Sequence, residues 1–278
     1  MLLPKEAEPT LKQRMLDGTK VRYSSSKQLC YLLQQSSRIY CSILHSKTLK
    51  VTPSTIDKMN KLIVFDFDGT IADTLRILIK IINRLADEFA YNKIRMHDLH
   101  YIKSMRTRDI LAYLNIPVLK LPFIIRRIRM EMNKEIPMLK PSVNIKPTLE
   151  ALNDEGYKIG ILTTNASSNV RTFLKNNDLE LFDFIRSTHH LLAKHLILKK
   201  IKRSYCYHHN SNPSQSMIFY VGDEVRDIEA GKKAGVKTIA VSWGFNSRDA
   251  LLAERPDYII DRPEELEYIA KALPIGYR

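Results

Sequence analysis

Residues Lys61–Thr70 read KLIVFDFDGT, and this stretch decides the predicted fold. Its four apolar residues, Leu62 to Phe65, form a short run that is typical of a fully buried strand. Two carboxylates follow at Asp66 and Asp68, and Gly69 then frees the backbone to turn sharply. Because side chains alternate along an extended chain, both carboxylates are expected to point the same way where the strand ends. Open α/β sheets bind ligands at the C-terminal ends of their strands, so the stretch predicts an active site.

Further apolar runs predict a parallel sheet with helices between its strands. The later strands are expected at Lys158–Thr163, Met217–Val221, Lys237–Val241 and, as a short fifth strand, Tyr258–Ile260. Helical stretches separate them near Val170–Lys175, Leu191–Lys202 and Ile228–Ala234. Strands that alternate with helices imply parallel pairing with right-handed crossovers. The predicted fold class is therefore α/β, a Rossmann-like parallel sheet flanked by helices.

Residues 75–146 interrupt this alternation and predict a small all-helical cap inserted after the first strand. Apolar residues recur there at spacings of three and four, which gives a helix one buried face: Leu75, Leu78, Ile82, Leu85 and Phe89. Further helical pieces are expected near Arg106–Tyr113 and after Pro122. Residues 59–74 and 147–278 would then form the catalytic core, in which Pro147 opens a helix.

Residues 1–58 differ in composition from the rest of the chain. No acidic residue lies between Asp17 and Asp57, while lysines and arginines are spread among serines. We expect a basic, disordered N-terminal extension. The composition partly resembles an organelle transit segment, so an organelle is the alternative to the cytoplasmic location predicted for the protein.

Composition limits the classes of partner. The 278 residues are 44% hydrophobic, and the formal net charge of +14 favours nucleic acid, anionic membranes or phosphorylated molecules as partners. No apolar run approaches the roughly 18 residues that span a bilayer, which argues against a membrane protein. The three cysteines lack metal or redox spacing and indicate a reducing compartment. Histidines between His189 and His209 fit no usual zinc pattern.

The ends of the later strands carry polar residues that would meet Asp66 and Asp68 at one edge of the sheet. Thr164 and Asn165 follow the second strand, and Gly222, Asp223 and Glu224 follow the third, with Asp227 one helical turn later. Two like charges about 4 Å apart repel by about 4 kcal/mol at an effective dielectric of about 20, so such a cluster requires a cation. Oxygen ligands alone suit Mg²⁺. Thr164, Asn165 and the N–H groups of the following helix could hold a phosphate.

These residues resemble the motifs of the haloacid dehalogenase superfamily of phosphohydrolases, in particular its phosphoglycolate-phosphatase-like branch. The stretch Asp66–Thr70 is similar to the first motif of the family, Thr164-Asn165 to the second and Gly222–Asp227 to the fourth. The third motif is a single lysine, for which Lys194 is chosen, with Lys199 and Lys200 as rivals.

The resemblance implies a role for each residue. Asp66 would attack phosphorus and form an aspartyl-phosphate, and Asp68 would act as general acid and then as general base. Mg²⁺ would bind Asp66, the Asp68 backbone carbonyl and Asp223, with Asp227 binding the ion or orienting its waters. Thr164, Asn165 and Lys194 would bind the phosphate, and cap residues such as Arg106 and Arg108 would select the substrate.

The predicted function is therefore a Mg²⁺-dependent phosphatase that acts on a small phosphorylated metabolite. Asp68 favours phosphate chemistry over dehalogenation, which does not need an acid at that position. One alternative is a phosphomutase of the same fold. The other is a regulatory protein that binds nucleic acid through its basic N-terminal arm, although the basic run Lys199–Arg203 lacks the interleaved aromatics of base-stacking surfaces.

Overall fold

A parallel sheet organises the computed structural model, which describes residues 61–188, 193–208 and 217–272. Its six strands are β1 (Lys61–Phe65), β2 (Lys158–Thr163), β3 (Phe184–Ser187), β4 (Met217–Gly222), β5 (Lys237–Val241) and β6 (Tyr258–Ile260). The strand order is β3-β2-β1-β4-β5-β6, and all neighbouring pairs run parallel. The predicted parallel α/β sheet is confirmed. The predicted extension, residues 1–58, lies outside the described residues.

Strand β1 lies between β2 and β4 and is buried on both of its faces. Ile63 and Phe65 join the larger hydrophobic cluster on one face of the sheet. Leu62 and Val64 join a second cluster on the other face. The alternating pleat therefore distributes one continuous apolar run between two cores. Burial of each such side chain contributes about 1.5–3 kcal/mol, which fixes the end of β1 firmly.

Helices cover both faces of the sheet and form the insertion after β1. The insertion contains α1 (Leu75–Phe89), α2 (Leu99–Ser104), α3 (Thr107–Tyr113) and α4 (Leu121–Glu135). The remaining helices of the described residues are α5 (Ile145–Asp154), α6 (Ser167–Asn176), α7 (Lys194–His208), α8 (Val225–Ala234), α9 (Arg248–Ala253) and α10 (Glu265–Ala272). None of the helices in the described part of the chain is long and apolar enough to span a bilayer.

One edge strand, β3, is absent from the sequence prediction, which has five strands. It is only four residues long and half-buried, so it carries little of the apolar signal that marks the other strands. Its position depends on Gly160 of β2, which pairs with Phe184. A Cβ atom at Gly160 would lie 2.2 Å from the Phe184 ring, so only glycine leaves room for this aromatic side chain.

The chain enters and leaves the insertion through two adjacent linkers. Ala72 pairs with Pro141 in an isolated antiparallel bridge. The Asp73 N–H donates to the Lys140 carbonyl at 3.0 Å, and the Ser142 N–H donates to the Ile71 carbonyl at 2.8 Å. These bonds anchor the insertion at the end of β1. The boundaries of the predicted cap and core, 75–146 and 147–278, remain a prediction, and α5 begins two residues before Pro147.

Candidate active site

Asp66 is the first residue after β1 and points into the buried edge of the sheet. Its N–H donates to the Val221 carbonyl at 2.8 Å, which continues the pairing of β1 with β4. One of its carboxylate oxygens accepts from the Phe67 N–H at 2.8 Å. The residue as a whole is only 3% exposed. Asp66 is therefore a nearly fully buried carboxylate at the end of β1, where the sequence predicts it.

Lys194, the first residue of α7, carries the cation that meets this carboxylate. Its Nζ lies 2.6 Å from Asp66 Oδ2 and 2.8 Å from Asp227 Oδ1. The rivals Lys199 and Lys200 are exposed on the same helix, whereas Lys194 is buried. Of the three lysines, the structure thus brings Lys194 to Asp66, the predicted nucleophile.

Burial and charge set the protonation of this group. Burial raises the pKa of Asp66 to about 7, while the Lys194 ammonium acts to lower it. Burial acts to raise the pKa of Asp227, but Lys194 and Arg226 hold it below its ordinary value. Burial acts to lower the pKa of Lys194, and the Asp227 and Asp66 carboxylates outweigh it and raise that pKa. Lys194 is therefore a permanent cation in the site.

Asp227 is held by more groups than the sequence indicates. The Tyr220 hydroxyl donates to Asp227 Oδ1 at 3.1 Å, and the Glu224 N–H donates to Oδ2 at 3.2 Å. The second bond belongs to a capping box that begins α8. Tyr220 lies in an apolar strand, and its position seven residues before Asp227 does not predict this contact.

Asp223 is buried and held by residues from two segments. The Thr70 hydroxyl donates to its Oδ1 at 2.7 Å, and the Phe245 N–H donates to its Oδ2 at 2.7 Å. A Cβ atom at Gly69 or Gly244 would lie 2.3 or 2.2 Å from Asp223 Oδ2, so both glycines are required for this close packing. Burial and the charges of Glu224, Asp66 and Asp227 raise the pKa of Asp223 well above its ordinary value.

The donor set of the site fits a hard divalent cation. Carboxylate oxygens of Asp66, Glu224 and Asp227 lie within 4.8 Å of one another. Burial and the charges of neighbouring carboxylates raise the pKa of both Asp66 and Asp223. A divalent ion with oxygen ligands would offset the repulsion among these groups. Glu224 is the member of this cluster that the sequence prediction omits from its metal ligands.

Asp68 lies at the rim of the site next to the end of β2. Asn165 Nδ2 lies 3.5 and 3.4 Å from the two Asp68 oxygens. The Asn165 amide oxygen accepts from the Ala166 N–H at 2.8 Å, which fixes the direction of its NH₂ group. Burial raises the pKa of Asp68 to about 6, and the Asn165 contact acts to lower it. A carboxyl group with this pKa is suited to exchanging a proton near neutral pH.

Thr164 directly follows β2, as the sequence predicts. Its side chain is half-buried and forms no hydrogen bond with the described residues. The neighbouring Thr163 hydroxyl instead accepts from the Asn165 N–H at 2.9 Å, which shapes the turn into α6. Thr164 and the first N–H groups of α6 are therefore available to an anion at this helix start.

Comparisons with known proteins agree with this geometry. A family model described as haloacid dehalogenase-like hydrolase matches residues 63–241. A phosphoglycolate phosphatase of Synechococcus elongatus is 29% identical over 205 residues, covering 73% of this chain and 94% of that protein. Pyrophosphatase PpaX of Bacillus mycoides is 28% identical over 211 residues, with coverage of 73% and 94%. A haloacid dehalogenase-like hydrolase from Streptococcus pneumoniae shares the fold, with a TM-score of 0.61, 22% identity and coverage of 77% and 99%.

Proposed function

We propose that this chain, which belongs to the haloacid dehalogenase-like hydrolase family, hydrolyses a small phosphomonoester through a phosphorylated Asp66. The arrangement of Lys194 between Asp66 and Asp227 carries the proposal, at 2.6 and 2.8 Å. A buried lysine that neutralises the nucleophile allows a carboxylate to approach a phosphate dianion. The named relatives, a phosphoglycolate phosphatase and a pyrophosphatase, support the same class of reaction.

The first half-reaction transfers the phosphoryl group to Asp66. One carboxylate oxygen of Asp66 attacks phosphorus while Lys194, Thr164 and the α6 N–H groups bind the phosphoryl oxygens. The bond from phosphorus to the leaving oxygen breaks, and protonated Asp68 gives its proton to that oxygen. The pKa of Asp68, raised to about 6 by burial, supports its role as the acid.

The second half-reaction regenerates the enzyme. Asp68, now a carboxylate, takes a proton from a water molecule that attacks phosphorus. The phosphorus bond to Asp66 breaks, and inorganic phosphate leaves with the carboxylate restored. Asn165, at 3.4 and 3.5 Å from the Asp68 oxygens, keeps that carboxylate directed at the reacting centre in both steps.

Mg²⁺ is the cation that we assign to the acidic cluster. Asp66, the Asp68 backbone carbonyl, Asp223 and Asp227 would hold it, as the family resemblance implies, and Glu224 adds a fourth carboxylate close by. When bound, the ion would polarise the phosphoryl oxygens and neutralise charge that develops during transfer.

We assign the insertion as a cap that covers this site and selects a small phosphorylated metabolite. The nucleic-acid alternative rests on residues 1–58, outside the described residues, and no contact described here favours it. The phosphomutase alternative differs in its product, which would be an isomerised ester instead of free phosphate.

Phosphate release from a panel of esters tests the proposal. We would assay phosphoglycolate, inorganic pyrophosphate, a sugar phosphate and a nucleotide with Mg²⁺ and with chelator. The Asp66→Asn variant should lose about 10³-fold or more in turnover on every substrate. Asp73→Asn, a change at an exposed aspartate in the same turn, is the matched control and should retain activity. Near-parental turnover by Asp66→Asn, or full turnover in chelator, would overturn the covalent metal-dependent mechanism.

A further inference from the structure

Asn246, five residues after β5, joins three parts of the chain at once. It is 8% exposed, so its amide lies inside the protein. Its Oδ1 accepts from the Val225 N–H at 3.0 Å, at the start of α8. Its Nδ2 donates to the Lys103 carbonyl at 3.0 Å and to the Met105 carbonyl at 3.2 Å, both in the insertion. Every donor and the acceptor of the side-chain amide are therefore in use.

The backbone around Asn246 strengthens the same connection. We call Asp223 and Glu224, the two residues that follow β4, the acidic turn. The Asn246 N–H donates to the Asp223 carbonyl at 3.2 Å, and the preceding Phe245 N–H donates to the Asp223 carboxylate at 2.7 Å. The following Ser247 N–H donates to the Lys103 carbonyl at 2.7 Å. Three consecutive residues thus bind both the acidic turn and the insertion.

Two exposed ion pairs, both formed by Arg106, also join the insertion to the rest of the fold. Arg106 is 60% exposed and contacts Glu229 of α8 at 3.2 Å and Glu254 after α9 at 2.5 Å. Exposed ion pairs contribute about 0.2–1 kcal/mol, whereas a buried amide that loses its partners leaves polar groups without hydrogen bonds. The hydrogen bonds of Asn246 therefore contribute most to this connection, and the Arg106 ion pairs contribute less.

We propose that Asn246 is a positioning residue that couples closure of the insertion to the arrangement of the acidic turn. This inference rests on the proposed function, because it assumes that the insertion must open to admit a phosphorylated substrate. Opening breaks the bonds from Nδ2 to the carbonyls of Lys103 and Met105. Oδ1 and the backbone N–H of the same residue hold the start of α8 and Asp223, so an occupied site and a closed insertion favour each other.

Hydrogen exchange of the segment 99–106 tests the coupling without relying on catalysis. The probe is inorganic phosphate with Mg²⁺, added to the full chain. In the parent we expect it to slow exchange of this segment by about tenfold. In Asn246→Ala that slowing should disappear while strands β1 and β4 remain protected. Arg106→Gln is the control, because it removes the exposed ion pairs and leaves the Asn246 side chain unchanged. Phosphate should slow hydrogen exchange in this variant as it does in the parent.

A second variant covers the case in which Asn246→Ala does not fold. Asn246→Asp keeps the size of the side chain and the acceptor for Val225, but its second oxygen faces two carbonyls and cannot donate. It should also lose the phosphate-dependent slowing, with a fall of about tenfold in kcat for any ester that the parent hydrolyses. Equal slowing in the parent and in both Asn246 variants would refute the coupling. Failure of the proposed function is a separate result, namely no phosphate release by the parent.

Discussion

Lys194 Nζ lies 2.6 Å from Asp66 Oδ2, so the proposed nucleophile is paired with a buried cation. Both side chains are almost fully buried, with 2% and 5% of their surfaces exposed. A carboxylate in such a place would otherwise be protonated, and burial indeed raises the pKa of Asp66 to about 7. Lys194 therefore has two effects, since it acts to lower the pKa of Asp66, the proposed nucleophile, and that of Asp227.

Replacement of Lys194 by Met should affect both activity and stability. Two buried carboxylates would lose their shared cation, and breaking such a buried pair typically costs about 3–5 kcal/mol. Turnover should fall by about 10²–10³-fold, as for other groups that stabilise transferred charge. Denaturant unfolding at pH 7 and phosphate release measure the two effects. Lys199→Met, on the exposed face of α7, is the control and should change neither. A Lys194→Met enzyme with parental turnover would contradict the assignment.

Asp223→Ala should weaken Mg²⁺ binding and destabilise the fold. Both Asp223 oxygens accept hydrogen bonds, from the Thr70 hydroxyl and the Phe245 N–H, and alanine leaves both donors without this partner. A buried donor left without a partner costs about 1–3 kcal/mol. Thermal unfolding without metal and the Mg²⁺ concentration for half-maximal activity measure the two effects. Glu224→Gln provides the comparison, since Glu224 lies in the acidic cluster but outside this packing. We expect it to raise the Mg²⁺ requirement without the loss of stability.

The sequence predicted the parts of the site that lie beside strong apolar patterns. The run Leu62–Phe65 identifies a buried strand, and the two carboxylates after it follow from the chain itself. Strand β3 was not predicted, because four half-buried residues carry little periodic signal. The space for its Phe184 side chain is provided by Gly160 in another strand, β2. The role of Asn246 could not be predicted either, because it depends on the backbone groups that its side-chain amide contacts in the folded chain. Burial, not sequence, separates Lys194 from its rivals.

Lys103, in place of the predicted Arg106, is the residue of the insertion that we expect to select substrates. Arg106 is engaged by Glu229 and Glu254. The Lys103 carbonyl accepts from Asn246 and Ser247, which follow the residue that binds the Asp223 carboxylate. Burial lowers the pKa of Lys103, while the Asp223 carboxylate acts to raise it. Lys103→Gln should raise the KM for phosphoglycolate by about tenfold. It should leave the KM for 2-hydroxyethyl phosphate nearly unchanged, because that ester carries a hydroxymethyl group in place of the carboxylate. Arg126→Gln, at an exposed position of α4, is the control. A uniform loss on both esters would indicate a structural role for Lys103.

Asp257 directly precedes the edge strand β6 and should make the stability of the fold depend on pH in the acidic range. Its carboxylate accepts from the Thr238 N–H at 2.9 Å, from the Thr238 hydroxyl at 3.0 Å and from Lys237 Nζ at 2.8 Å. Burial acts to raise its pKa, but these contacts outweigh burial and hold that pKa below the ordinary value. A depressed folded-state pKa gives stability that is present above the unfolded value, near pH 3.9, and is lost as pH falls through the folded value.

Asp257→Asn should therefore lower the free energy of unfolding by about 1–2 kcal/mol at pH 7, because part of the exposed Lys237 pair is screened by water. The difference from the parent should shrink as the pH is lowered through about 4 towards 3, since the parent carboxylate becomes protonated there. Urea unfolding at a series of pH values measures it. Asp154→Asn, an exposed change at the end of α5, should show no such trend. A difference that stays constant from pH 7 to pH 3 would show that the charge of Asp257 is not what holds β6.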